Sequence, residues 1–462
     1  KVLLQNAHKN QTITINKHPL NYDAQIGMTP VTLNDQKNIA SVSYFAYQNK
    51  SNPSRSITFI WPGGPGASSL SSNFLESGPK KIDLENGGVY SNSNTWLTFT
   101  DLVYIDMPGT GWGRVKNEKD KSTVYSPKGD AHIFSQFIKN YLEKYGENYD
   151  QIFLAGESYG GYRAPLVAIN LLKDFIEIKG IILQSPLLQP SYSFGSYDNI
   201  MAYALAIPTY IRTALYYQKL SPEFQKNPQG TISKGVEWAL KDYLYALLRG
   251  NKLDPDQEAT LASQLNKYTG LNLEVIKNHN YRIPMSTFRH TLLADQDITL
   301  DYTNATLQAN QIESSDGMYI MHMKSVMTPL LEVYEPAIQY LHKTFDLDNF
   351  GEYVNYFDPS SVWHWDNNDP LPEQVISVLQ DNLVVNDKLK LFIGVGYYDT
   401  DIPYMVTEMV ISQLYPSHLK NKITLKHYEG GHMFAANKKI QKRFTQDIQN
   451  FIANPHLKHM SF

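Results

Sequence analysis

The chain of 462 residues contains no cysteine. This absence excludes disulfide bonds, structural zinc sites built from thiolates and a thiol nucleophile. Because a secreted eukaryotic enzyme of this size would usually carry disulfides, the missing cysteines also favour a bacterial source.

The chain also lacks a strong excess of charge and any long apolar run. Its net charge is -4 and its pI is near 6.4, which leaves no basic field for nucleic acid or anionic lipid. No apolar run approaches the ~18 to 20 residues that span a bilayer. The opening "KVLLQNAHKN" has no apolar signal-peptide segment. We expect no nucleic-acid partner, no membrane span, and a signal peptide that is either absent or already removed.

Apolar segments of strand length alternate with amphipathic helical patterns. This alternation is typical of an α/β protein with a mainly parallel central sheet flanked by helices. Two N-terminal runs, at 12–16 and 39–48, are expected to form an antiparallel hairpin at the sheet edge. The predicted strands are 56–61, 101–106, 151–156, 179–185, 388–396 and 421–431, and the predicted helices are 129–146, 162–177, 403–414 and 437–453.

The stretch between the two sheet blocks has a different pattern. It contains helical runs rich in tyrosine and leucine, such as "NIMAYALAIPTYIRTALYYQ", and few strand signals. We therefore predict a helical insertion over residues 190–375, between a first core part at 1–189 and a second at 376–462.

The segment "FLAGESYGGYRAP" contains a G-x-S-x-G motif between a predicted strand and a predicted helix. A nucleophile elbow requires this context, because its glycines permit a strained turn that lifts the serine hydroxyl out of the sheet. The alternative is a glycine-flanked turn with an incidental serine. The context favours Ser158 as the nucleophile.

A serine nucleophile needs a base, and the base needs a carboxylate that orients it. In an α/β sheet these partners follow later strands, in the order serine, acid, base. Asp399 and Asp401 follow one such strand, and His432 follows the next. Spacing alone does not separate the two aspartates, and Asp401 has an alternative role as a helix cap. His427 lies within the strand pattern and is expected to be a packed or surface histidine.

The run "FIWPGGPGASSL" ends a buried strand in a turn that is almost all backbone. Acyl transfer at a serine develops an oxyanion, which needs two fixed N–H donors. One usually follows the nucleophile, and the other comes from the loop after an earlier strand. The N–H groups of Tyr159 and Gly64 are the candidates, and glycine lets the turn come close to Ser158.

Six segments resemble successive motifs of the serine carboxypeptidase family, also called peptidase family S10. They are "WPGGPGASS", "ESGPKK", "YIDMPGTGWG", "AGESYGGYRAP", "GYYDTDIPY" and "EGGHMF". They follow the family order from about residue 57 to about residue 435, whereas the helical insertion matches only in position and size. The run "NKITLKHYEGGHMFAAN", and Ala67 at a usual cysteine position, are similar to bacterial members.

The resemblance implies an α/β-hydrolase fold with a helical cap insertion and the activity of a carboxypeptidase. It also implies that Asp399 is the acid, because Pro403 follows it at the family's spacing. A recognition network for a substrate's terminal carboxylate is implied at Glu157 and Glu76, with Gly63 as a further substrate-binding residue. Carboxyl groups beside a bound carboxylate must be protonated or share a proton, so peptide hydrolysis is expected to be favoured at acidic pH.

The chain departs from the family at Pro62, where members usually place an asparagine. Proline offers neither an amide side chain nor a backbone N–H. A charge-assisted hydrogen bond contributes roughly 1.5 to 3 kcal/mol, so its loss weakens carboxylate binding by about ten- to a hundredfold. Arg163, Lys80 and Lys81 are possible replacements. The simpler expectation is an arginine paired with an acid and two surface lysines.

Three functions therefore stay open. The first is a serine carboxypeptidase acting on peptides, and the second is an esterase, amidase or acyltransferase with the same triad and a small ester or amide substrate. The third, a binding protein without catalysis, is disfavoured by the intact triad. His364 in "VWHWD" has no ligand spacing, so neither a metal nor another cofactor is expected. From the family we expect a secreted or periplasmic protein of undetermined oligomeric state.

Overall fold

The computed structural model describes residues 6–33, 36–51, 55–84, 86–193, 195, 198–309, 333–347, 349–365 and 375–453. Its strands are β1 (Asn6–Ile15), β2 (His18–Leu33), β3 (Gln36–Asn49), β4 (Ser56–Trp61), β5 (Lys80–Ile82), β6 (Val89–Ser91), β7 (Asp101–Asp106), β8 (Gln151–Glu157), β9 (Gly180–Gln184), β10 (Lys390–Gly396) and β11 (Ile423–Tyr428). In this part of the chain the main sheet has nine strands in the order β1-β2-β3-β7-β4-β8-β9-β10-β11, and β5 pairs with β6 separately.

Six neighbouring strands of this sheet pair in parallel, in the order β7, β4, β8, β9, β10 and β11. Every residue of β4 and β7 is buried. Because both faces of such strands are covered, their sequences are continuous apolar runs, and the predicted bounds match β4 and β7. The carboxyl ends of these strands lie at one edge of the sheet, and the loops that follow them meet there.

The N-terminal edge of the sheet is antiparallel. β1 pairs with β2, β2 with β3, and β3 with β7. The predicted edge is therefore correct in direction. The predicted hairpin was incomplete, because the long strand β2 lies between its two runs.

The helices are α1 (Lys121–Val124), α2 (Pro127–Tyr145), α3 (Tyr159–Lys173), α4 (Pro190–Ser193), α5 (Ile200–Tyr216), α6 (Pro222–Lys226), α7 (Pro228–Trp238), α8 (Leu244–Arg249), α9 (Pro255–Thr269), α10 (Leu273–Asn278), α11 (Met285–Thr291), α12 (Glu335–Phe345), α13 (Val375–Val385), α14 (Tyr404–Ser412) and α15 (Lys438–Ala453). On one face of the sheet, α2, α3, α13 and α14 contribute to a hydrophobic core. On the other face, α12 and α15 contribute to a second core. The sheet is thus covered on both faces.

Helices α5 to α11 belong to a cap with its own hydrophobic core. In that core the ring of Tyr210 stacks on that of Phe288, with centroids 4.1 Å apart. α12 lies within the predicted insertion by number, but its buried residues Ala337, Leu341 and Phe345 pack with the second core of the sheet. The cap therefore has a packing unit separate from that of the sheet.

Candidate active site

The turn between β8 and α3 consists of Ser158 alone. Its φ is 55° and its ψ is -123°, a strained conformation for a residue with a side chain. A Cβ atom added at Gly160 would lie 2.7 Å from the carbonyl oxygen of Pro62, and one at Gly156 would clash with the carbonyl of Gly160. The two glycines therefore make this sharp turn possible, as the motif predicts.

Asp399 and His432 form a buried pair after β10 and β11. Nδ1 of His432 lies 2.8 Å from Oδ2 of Asp399. The other oxygen of Asp399 accepts the backbone N–H groups of Asp401 at 2.9 Å and Ile402 at 2.8 Å. With Nδ1 directed at a carboxylate, Nε2 of the imidazole is the nitrogen that can take a proton from a nucleophile.

The end of β9 connects the serine to the histidine. The backbone N–H of Ser158 donates to the carbonyl of Gln184 at 3.0 Å. The next residue, Ser185, donates its hydroxyl to the carbonyl of His432 at 2.8 Å. The ends of the parallel strands thus gather Ser158, Asp399 and His432 at one edge.

A second aspartate also faces the histidine. Oδ2 of Asp401 lies 3.7 Å from Nε2 of His432, and its Oδ1 accepts a hydrogen bond from the hydroxyl of Tyr302 at 2.9 Å. Burial lowers the pKa of His432, but the carboxylates of Asp399, Asp401 and Glu157 raise it by more. The net pKa is raised, so these carboxylates stabilise an imidazolium ion.

The glycine turn after β4 lies against Ser158. A Cβ atom added at Gly63 would lie 2.5 Å from Cβ of Ser158 and 2.9 Å from the backbone nitrogen of Tyr159. Gly64 has a φ of +112°, which residues with side chains rarely adopt. Tyr159 is the first residue of α3, where backbone N–H groups have no acceptor within the helix. The structure thus brings Gly63 and Tyr159 to Ser158, and Gly64 is the next residue of the same turn.

Glu157 and Glu76 form a buried carboxyl pair, and Glu157 directly precedes Ser158. The side-chain nitrogen of Gln184 lies 3.1 Å from Oε1 of Glu76 and 3.4 Å from Oε1 of Glu157, and donates to both. Burial raises the pKa of Glu157 to about 7, and Asp399 also raises it, against the opposite effects of His432 and Gln184. Burial and the charge of Glu157 raise the pKa of Glu76 well above its usual value. The pair therefore retains a proton below neutral pH.

Lys81 lies behind this pair. It is 3% exposed, so the expectation of a surface lysine was wrong. Its Nζ donates to the side-chain oxygen of Gln441 at 2.7 Å, and the side-chain nitrogen of Gln441 donates to the carbonyl of Glu76. Burial lowers the pKa of Lys81 to about 8, although the nearby Glu76 raises it. α15 covers β5 here, which is why this lysine is buried.

Arg163 is paired with an acid, as expected. Its Nε lies 2.6 Å from Oδ2 of Asp130, and both side chains are buried. Its guanidinium lies over the ring of Phe134, 4.0 Å from the centroid, and its Nη1 donates to the carbonyl of Pro62 at 3.3 Å. Arg163 therefore supports the glycine turn from the core.

Two residues of the site have positions that the sequence predictions did not include. The sequence predictions included Gln184 only as part of the strand 179–185. A polar residue at the carboxyl end of an apolar strand could nevertheless have indicated a residue of the site. Asp401 was weighed as an acid or a helix cap, but Pro403 occupies the N-cap of α14. The carboxylate of Asp401 lies instead at the histidine and Tyr302.

Other candidates from the sequence have packing contacts. Nε2 of His427 lies 2.6 Å from the carboxylate of Glu408, and its ring stacks on Tyr397. Trp363 packs edge-on against Tyr159, with ring centroids 5.2 Å apart. The contacts of His427 agree with the packed or surface role expected for it, and Trp363 packs against the first residue of α3.

Among the residues that the structure describes, no group of three or more histidine, cysteine, aspartate or glutamate side chains is placed to hold a metal ion. Within the same ranges, no helix combines the length and the apolar character needed to cross a bilayer.

The parallel sheet, its covering helices and the cap define an α/β hydrolase. The family model described as serine carboxypeptidase matches residues 24–451, and the chain belongs to this family. Both the predicted fold and the predicted family are therefore confirmed.

Two curated relatives and one solved structure illustrate the similarity. The pheromone-processing carboxypeptidase KEX1 of Saccharomyces cerevisiae is 29% identical over 185 residues, which cover 35% of this chain and 25% of the relative. The pheromone-processing carboxypeptidase KEX1 of Kluyveromyces lactis is 40% identical over 120 residues, which cover 25% of this chain and 18% of the relative. The crystal structure of Kex1(delta)p, a prohormone-processing carboxypeptidase from Saccharomyces cerevisiae, matches with a TM-score of 0.61 at 18% identity, covering 94% of this chain and 91% of that chain. The aligned segments thus span a quarter or less of the two curated relatives.

Proposed function

We propose that this protein is a serine carboxypeptidase that releases C-terminal residues from peptides through an acyl-enzyme on Ser158. The observation that carries this proposal is the buried pair of Glu157 and Glu76, which shares the amide of Gln184 and whose member Glu157 directly precedes Ser158. A hydrolase that acts only on esters has no need for two desolvated carboxyl groups at this place. Protonated, they donate hydrogen bonds to a terminal carboxylate.

The gathered residues support a two-step acyl transfer. His432 takes the proton of Ser158 while the serine oxygen attacks the scissile carbonyl carbon. The N–H groups of Gly64 and Tyr159 donate to the oxyanion, and Asp399 holds the imidazole and stabilises its charge. His432 then protonates the leaving amine. Water, deprotonated by the same imidazole, attacks the ester and frees Ser158.

The carboxyl pair determines how the reaction depends on pH. Below the raised pKa of Glu157, about 7, the pair is protonated and binds a substrate carboxylate. Above it, Glu157 is ionised and repels that carboxylate. We therefore expect hydrolysis of free-acid peptides to be favoured at acidic pH, whereas esters and amides without a terminal carboxylate retain more activity toward neutral pH.

An esterase or amidase is a second candidate, and Pro62 favours it. The carbonyl of Pro62 accepts from Arg163, and the residue has no amide to offer a substrate. The side-chain nitrogen of Gln184 already donates to both carboxyl groups, so it replaces the missing donor only if one of these bonds is exchanged.

We also propose that the protein acts on peptides outside the cytosol or in an acidic lumen. The support for this location is the carboxyl pair, because the protonated state that binds a carboxylate is populated at acidic pH.

The test compares three substrates that share one blocked dipeptide sequence: the free acid, the C-terminal amide and the ester. Each is measured from about pH 5 to about pH 9 with the wild type, Ser158→Ala and a control, Ser263→Ala, on the exposed face of α9. The proposal expects the free acid to be cleaved best at low pH and Ser158→Ala to be inactive. Cleavage of the ester and the amide, but not of the free acid, would support the second candidate.

A further inference from the structure

A cavity of about 250 Å³ lies between the cap and the catalytic edge of the sheet, and we call it the cap cavity. Much of its wall is apolar or aromatic. Asp401 and Tyr302 lie in its wall on the side of the catalytic histidine. The apolar and aromatic wall residues include Tyr203, Ala206, Tyr210, Ile283 and Met285.

Asp401 presents a carboxylate to the cap cavity. Its Oδ1 accepts the hydroxyl of Tyr302, whereas its Oδ2 lies 3.7 Å from Nε2 of His432, beyond hydrogen-bond length. The side chain is 19% exposed. The neighbouring Thr400 directs its hydroxyl to the carbonyl of Tyr302 at 2.6 Å. Oδ2 of Asp401 is therefore the oxygen that can accept a donor from a bound molecule.

The wall of the cap cavity also contains an arginine, which is directed to the backbone. Arg289 is 2% exposed, and its Nε donates to the carbonyls of Leu300 and Asp301, both at 3.1 Å. Its guanidinium carbon lies 5.2 Å from the ring centroid of Tyr302. Arg289 thus holds the segment that positions Tyr302 against the carboxylate of Asp401.

We propose that Asp401 forms a subsite for an ammonium group on the acyl part of the substrate, the residue whose carbonyl Ser158 attacks. This inference rests on the proposed function, which directs the carboxylate of the leaving residue to Glu157 and Glu76. The acyl residue then occupies the opposite side of the scissile bond, where the apolar cap cavity receives its side chain.

Two sources supply such an ammonium group: a free α-amino group and a basic side chain. An α-ammonium is attached to the carbon next to the reacting carbonyl, and Asp401 lies beside the nitrogen that takes the proton of the nucleophile. Proximity therefore favours a free α-amino group. A charge-assisted hydrogen bond to Asp401 gives a preference of about ten- to a hundredfold in kcat/KM.

The experiment uses three peptides with the same leaving residue: methionyl-leucine, N-acetyl-methionyl-leucine and N-acetyl-lysyl-leucine. The ethyl esters of methionine and N-acetyl-methionine form a second set without a terminal carboxylate. The wild type is compared with Asp401→Asn, with Asp401→Ser if the first variant is insoluble, and with Asp242→Asn, a control on the exposed surface of the cap.

The readout is the ratio of kcat/KM between substrates with and without the ammonium group, because an effect of Asp401 on the histidine cancels in this ratio. We expect the free-amino substrate to be preferred by about ten- to a hundredfold, and this preference to vanish in Asp401→Asn but not in Asp242→Asn. An Asp401-dependent preference for the lysyl peptide alone assigns the same subsite to a side chain. Ratios that Asp401→Asn leaves unchanged overturn the inference. If the enzyme cleaves the esters but none of the peptides, the proposed function is overturned instead. The ratio of kcat/KM between the two esters then still tests Asp401.

Discussion

Carboxyl groups face His432 from two sides of the molecule, and the two sides differ in their surroundings. On the core side, Glu157 and Glu76 are buried and share the amide of Gln184. On the cap side, Asp401 keeps 19% of its side chain exposed and lines a cavity. Desolvation favours the protonated form of a carboxyl group, whereas partial solvation permits the ion. The same chemical group is thus suited to an anion on one side and to a cation on the other.

The largest expected effect separates Asp401 on the cap side from Asp399, its neighbour in the loop after β10. We expect Asp399→Asn to lower kcat for a blocked ester by about 10⁴-fold, because the imidazole loses its orienting carboxylate. Asp401→Asn is expected to cost less than about tenfold, because it removes only part of the negative charge near the imidazole. Steady-state kinetics on one ester substrate measures both variants. Equal losses would contradict the assignment of Asp399 as the acid.

The next largest effect concerns stability and compares a core ion pair with a cap ion pair. Arg163→Met leaves the buried Asp130 without its ion-pair partner, which costs about 3 to 5 kcal/mol. Burial raises the pKa of Asp130 even with Arg163 present. Without Arg163 its pKa rises further, so the folded state binds a proton that the unfolded state releases above about pH 4, and the loss of stability grows as pH rises.

Chemical denaturation at two pH values measures this loss. The matched control is Lys219→Met, which removes the partner of Asp295 on the cap surface and is expected to leave the unfolding midpoint unchanged. A loss of stability that shrinks toward higher pH would show that Asp130 is not the group left unpaired.

The bounds of the buried strands could be predicted from the sequence to within a few residues, for a physical reason. Buried parallel strands are apolar throughout, so β4 and β7 are visible as uninterrupted runs. The elbow at Ser158 was also visible, because a strained turn needs its flanking glycines. The placement of His432 and of an acid after the preceding strand followed from chain order, since the ends of parallel strands meet at one edge, whereas only the resemblance to the family favoured Asp399 over Asp401.

The rest depended on contacts that local patterns do not contain. The burial of Lys81 comes from α15, which follows it by more than three hundred residues. Gln184 bridges Glu76 and Glu157 because three separate segments converge. Asp401 faces the histidine because the cap delivers Tyr302 to it. Only the resemblance to a family pointed to Glu76, and nothing in the sequence alone linked Asp401 to a cavity.

A smaller effect tests the core side through pH. The wild type is expected to lose its preference for a free-acid peptide over the matching ester by about tenfold per pH unit above pH 7, as Glu157 ionises. Glu157→Gln removes this ionisation, so the ratio becomes nearly independent of pH between about pH 6 and about pH 8. The ratio of kcat/KM values is the measurement, since titration of the histidine cancels in it. A wild-type ratio that rises with pH would contradict a protonated carboxyl pair.

The smallest expected effect is a shift of that same pH midpoint in Gln184→Met. The amide of Gln184 donates to both carboxyl groups and lowers their pKa values. Methionine keeps a similar volume but donates nothing, so the pKa of Glu157 rises and the free-acid preference persists to higher pH, by roughly half a unit to one unit. Gln218→Met, on the loop after α5, is the control and should leave the midpoint unchanged. A midpoint that moves to lower pH in Gln184→Met would mean that the amide stabilises the protonated form of the carboxyl pair. The two sides of His432 would then differ less than their burial indicates.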